Sequence, residues 1–156
     1  MGFESHQIKF AVSETQYSSD DQLDVAKKVN IGKGSSGAKV TSVSLLDYQD
    51  LGTPTVDLHF FSADPGTLAA DNDASTLVDT SAYLGVYVCG AVSYQDYGAS
   101  KIMTCLTTAV GQGLVLRPDK DGNVWVAAKL KSAPDFGAAA AGAGLDVLLG
   151  LEVSRY

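Results

Sequence analysis

Cysteine and histidine, the residues most often recruited for chemistry, are scarce in this chain of 156 residues, which has two of each. Two cysteines exclude a disulfide framework, and Cys89 and Cys105 lack the spacing of a zinc site. Two histidines leave little for acid–base or nucleophilic schemes, and neither GxSxG nor HExxH occurs. Basic charge is thin as well. Eleven Lys and Arg stand against eighteen Asp and Glu, a net charge of -7, and they are scattered rather than gathered into the stripe that a phosphate backbone requires. No run approaches the roughly 18 apolar residues of a membrane span, and MGFESHQIKF lacks the basic start and apolar run of a secretory signal. The expectation is a soluble protein made in the cytoplasm, with neither nucleic acid nor membrane as partner.

What is present is an ordered globular composition, 46% apolar and 19% charged, of a length suited to one domain with a real core. Apolar residues alternate with a period of two, and no long segment has amphipathic-helix spacing. Candidate strands are Gln7 to Val12, Leu23 to Ile31, Lys39 to Leu46, Val56 to Phe61, Leu84 to Val92, Lys101 to Ala109, Gly113 to Arg117, Val124 to Leu130 and a closing strand with Val147, Leu149, Leu151 and Val153 inward. Turn signals rather than helices separate them. The fold class read from this is all-β: a single antiparallel β-sandwich or jelly roll of about eight to nine strands, with at most short helical turns near Ser75 or Asp79. Residues 1–20 read as an N-terminal arm or edge strand and 21–156 as the sandwich domain. No internal repeat is visible. Around SYQDYGAS the pattern predicts a hairpin centred at Tyr97, with Val92 opposite Ile102, Val88 opposite Leu106 and Cys89 opposite Cys105. Thiols so placed would touch, but a bridge across one strand pair is awkward and a cytoplasmic product keeps them reduced.

Several motifs invite chemistry and are weighed against plainer roles. The acidic loop with Asp64, Asp71, Asn72, Asp73 and Asp79 offers a few of the about six to eight oxygens calcium takes, without a bidentate glutamate. Local turns made by Asp and Asn, and a strand stop at Asp64-Pro65, are the better explanation. DKDGN at Asp119 to Asn123 fails the EF-hand frame and reads as a hairpin turn. GKGSSG has the wrong order for a phosphate loop and reads as a flexible loop or strand crossover. Asp57 and His59 share one face of a strand, so a carboxylate could orient an imidazole, but no nucleophile accompanies them. Tyr83, Tyr87, Tyr94 and Tyr97 crowd the predicted hairpin, where they could fill an interface or stack on sugars, while packing within the fold explains at least half of them equally well. The Ala/Gly run Gly137 to Gly144 permits close backbone approach or acts as a linker.

The order of VTSVSLLD, then VDLHFFSADP, then a Thr/Asp/Asn-rich loop ending in LVDTSAYLGVYV, then LDVLLGLEVSRY resembles the tailed-phage head decoration, or capsid cement, proteins over about residues 20–156. That resemblance implies an antiparallel β fold, no catalytic residue, no cofactor and no metal. It implies a place on the capsid surface of the virion, where copies bridge major capsid protein subunits and self-associate as trimers or dimers. The Ala/Gly run departs from the pattern. Exposure and residue type nominate the N-terminal arm (Phe3, His6), the acidic loop (Asp71, Asp73) and the tyrosine-rich hairpin (Tyr83, Tyr94, Tyr97) as interface. The rivals are a carbohydrate-binding or fibre-associated adhesion module, with calcium at Asp71 or Asp73, and a hydrolase using Asp57 and His59.

Overall fold

Val56, Leu58 and Phe60 have no solvent exposure, while Asp57 and His59 between them are half-buried on the opposite side. This two-residue alternation, repeated along the chain, builds two sheets that pack face to face. The computed structural model describes residues 1–12, 17–47, 54–65, 81–89, 94–98, 101–105, 113–133 and 144–155. Among these there are ten strands and no helix: β1 (Gly2–Ala11), β2 (Lys27–Asn30), β3 (Ser35–Asp47), β4 (Val56–Phe61), β5 (Tyr83–Cys89), β6 (Gln95–Asp96), β7 (Lys101–Cys105), β8 (Val115–Leu116), β9 (Asn123–Leu130) and β10 (Gly144–Arg155). One sheet has six strands in the order β1-β10-β3-β7-β6, with β8 also on β3; the other has four, β2-β9-β4-β5. All pairings are antiparallel, so the chain forms the β-sandwich that its alternation predicts. The count exceeds eight or nine because β6 is a two-residue strand whose residues carry no apolar pattern.

The core lies between the sheets. Ile8, Phe10, Val40, Val43, Leu45, Val147, Leu149 and Leu151 from the larger sheet meet Val29, Leu58, Phe60, Tyr87, Val124, Val126 and Leu130 from the smaller. Val40 and Val43 both face inward although three residues apart. A bulge explains it, because the register with β10 slips between Gly150 and Leu151 and leaves an extra residue in β3. Gly150 is fitted to that bulge, since a Cβ there would sit 2.3 Å from the Ser42 hydroxyl oxygen.

Two predicted hairpins do not form. β5 pairs with β4 in the small sheet and β7 with β3 in the large one, so the strands flanking SYQDYGAS lie in opposite sheets. The tight pairing near Tyr97 is instead β6 with β7, Gln95 opposite Ile102 and Asp96 opposite Lys101. Likewise β8 pairs β3 while β9 joins the small sheet, so DKDGN turns the chain between sheets. It is nonetheless a tight turn: the Asp119 carboxylate accepts from the backbone N–H of Asp121 (2.9 Å) and Asn123 (2.8 Å). Those bonds hold the Asp119 carboxyl below its ordinary range, that from Asn123 most of all. GKGSSG carries the chain from β2 to β3 with Gly32 and Gly34 at φ +93° and +83°. Ser75, Asp71, Asn72, Asp73, Asp79, Val92, Leu106 and residues 137–143 lie outside the described residues.

Candidate functional site

Strand register brings Gln22, Lys129 and Asp57 into one row on the outer face of the four-stranded sheet, with Ala127 and His59 in the next and Trp125, Phe61 and Tyr83 beyond. Phe61 and Ala127 are buried despite facing outward, in a small second cluster with Ala82, Ala26, Tyr83 and Trp125. The Tyr83 ring leans on Phe61 (centroids 5.5 Å apart) and on His59 (5.9 Å). His59 Nδ1 lies 3.2 Å from the Tyr83 hydroxyl. The imidazole is therefore oriented by a phenol, which corrects the idea of one held by Asp57. Desolvation, helped by Lys129 and Lys131, pushes the His59 pKa down to about 4, so the ring is neutral near pH 7. Desolvation raises Asp57 against the opposing pull of Lys131 and Lys129. Both lysines are engaged with Asp20, at 3.3 and 3.1 Å. Gln22 Oε1, Asp57 Oδ1 and His59 Nε2 are buried without a protein partner.

A different surface lies on the outer face of the six-stranded sheet. There Phe3 stands opposite Glu152, Glu152 opposite Lys39, and Lys39 opposite Val115. Phe3 is 79% exposed and Val115 56%, so two apolar side chains flank a pair of opposite charges on the sheet surface. Beside them Met1, Ser36, Gly37, Ala38, Lys39, Val115, Glu152 and Ser154 line a shallow groove of about 320 Å³. Of these residues only Phe3 and the start of β1 are legible as interface in the sequence. Val115 carries a usable signal: Leu116, its neighbour in GLVLRP, is buried, and strict alternation turns Val115 outward.

The other nominated residues disperse. His6 Nε2 sits 3.2 Å from Glu4 Oε2, and the other Glu4 oxygen accepts from Arg155. His6 thus lies at the mouth between β1 and β2, a recess of about 220 Å³ shared with Lys9, Lys27 and Lys28. Tyr94 packs on the main core and donates its hydroxyl to the Pro54 carbonyl at 2.6 Å. Burial pushes its phenol far up. Tyr87 is buried, and its hydroxyl donates to the Cys105 carbonyl at 3.4 Å. Only Tyr97 presents a freely exposed ring among the described tyrosines, at 68%. The crowding of tyrosines on one hairpin is therefore corrected, because the strands that carry them are split between sheets. Asp71 and Asp73 lie outside the described residues. Among the described residues no group of three His, Cys, Asp or Glu is placed to hold a metal. Comparison with protein-family models, with curated proteins and with solved structures gives no match.

Proposed function

We propose that this chain is a capsid decoration protein of a tailed phage, docking on major capsid protein through the outer face of the six-stranded sheet around Phe3 and self-associating on the lattice as a trimer or dimer. The observation that carries the binding reading is the row Phe3–Glu152–Lys39–Val115, an exposed aromatic and an exposed aliphatic around opposite charges. An aromatic anchor ringed by polar groups is the usual composition of a protein interface, and a sheet surface holds it without conformational cost. The capsid as partner is supported by the segment order VTSVSLLD, VDLHFFSADP, LVDTSAYLGVYV and LDVLLGLEVSRY. Repeated weak contacts on a lattice add through avidity, so a shallow surface suffices. The test is sedimentation of the purified protein with empty heads assembled from the major capsid protein of the same phage. Saturable co-sedimentation and heads that resist heating to higher temperature are expected. Heads that pellet without the protein at every ratio would refute the proposal.

A further inference from the structure

Across four neighbouring strands the row Phe3–Glu152–Lys39–Val115 reads apolar, negative, positive, apolar. Adjacent strands lie about 4.8 Å apart, so the row is roughly 14 Å long. Among the described residues neither Glu152 nor Lys39 makes an ion pair, although they stand opposite each other. Each charge is therefore available to a second molecule. The flanking rows, Ser5–Gly150–Ser42 and Ser154–Gly37, are small and uncharged and let another sheet come close. A half turn about an axis running along the strands, between β10 and β3, lays this face on a copy of itself. Phe3 then covers the other copy's Val115, and Glu152 the other copy's Lys39, each contact being made twice. The alternative axis, along the row, would set Glu152 on Glu152 and Lys39 on Lys39, and like charges exclude it.

We propose that the free chain forms a two-fold dimer through this face, with a second copy of itself as the occupant. The contact is isologous and closes at two. Apolar contacts at both ends of the row shield the two ion pairs at its centre from water. An interface centred on so few residues is weak and reversible. A face covered by a second copy cannot hold a capsid subunit, so docking on a head must open the dimer; that consequence rests on the capsid reading, whereas the dimer does not.

The test is sedimentation equilibrium of the full chain, without heads, at concentrations from about 1 to 300 μM. The wild type should pass from one chain to two. Lys39→Glu and Glu152→Lys should each weaken the dimer at least about 10-fold, because like charges then meet twice. Mixed in equal amounts, the two variants should dimerise as well as the wild type, since each supplies the charge that the other lacks. The chain carrying both exchanges should again dimerise with itself. Recovery on mixing also shows that neither variant is misfolded. Three results would each overturn the dimer: a wild type that stays monomeric throughout, a dimer that neither exchange weakens, or variants that stay apart when mixed. A chain that binds heads but never dimerises would leave the capsid reading standing, and a dimer that never binds heads would leave this one standing.

Discussion

His59 and Tyr94 show how burial sets the behaviour of single residues in this protein. The imidazole of His59 is neutral in the folded state, with its pKa near 4, whereas an unfolded histidine titrates near its ordinary 6.5. The unfolded chain therefore takes up a proton that the folded one refuses as pH falls from about 6.5 toward 4, and stability falls with it. Asp57, whose pKa is raised, works in the opposite sense at the acid end of that window. Urea midpoints measured from pH 7 to 5 should drop for the wild type and drop less for His59→Gln. An equal drop in both would exclude His59 as the cause. For Tyr94→Phe the loss is the hydroxyl that serves the buried Pro54 carbonyl, and about 1 to 3 kcal/mol of stability should go with it, read by urea unfolding. Neither role is visible in the sequence. Alternation identifies His59 as facing away from Val56, Leu58 and Phe60, but the phenol that orients it comes from a strand more than twenty residues on.

At the scale of elements, glycines mark the places where a strand must depart from regular geometry. Gly85 sits at φ +145° where β5 slips against β4 between Phe60 and Phe61, and a Cβ there would meet Leu114 Cδ1 at 2.6 Å. The leucine tip can rotate away, while the backbone angle cannot be relieved. Gly85→Ala should therefore destabilise by about 1 to 3 kcal/mol in both the wild-type and the Leu114→Ala backgrounds, measured as a double-mutant cycle. A penalty that disappears with Leu114→Ala would mean that the clash dominates. Strand positions were legible because each buries one face. Strand partners were not: alternation states which side is buried, not which sheet a strand joins. Cys89 and Cys105 make the point, since the pattern sets them opposite one another across a strand pair, whereas they are buried on strands of different sheets.

For the whole molecule the path of the chain is decisive. It changes sheets at β1–β2, β2–β3, β3–β4, β5–β6, β8–β9 and β9–β10, so neither sheet is assembled from contiguous sequence. Such non-local pairing favours slow folding in a single cooperative step. Fluorescence of Trp125, the one tryptophan, on the outer face of the small sheet, should report the same urea midpoint as far-UV circular dichroism. Separate midpoints would show that the sheets come apart independently. A sandwich interlocked in this way is a rigid support for the outward-facing row at Phe3, and there the functional account is decided. The most direct measurement is the affinity of Phe3→Asp for empty capsid heads, beside its melting temperature. Binding at least about 10-fold weaker with an unchanged melting temperature is predicted, since the proposed interface centres on Phe3, which is exposed and contributes nothing to the core. Wild-type affinity in that variant would contradict the account.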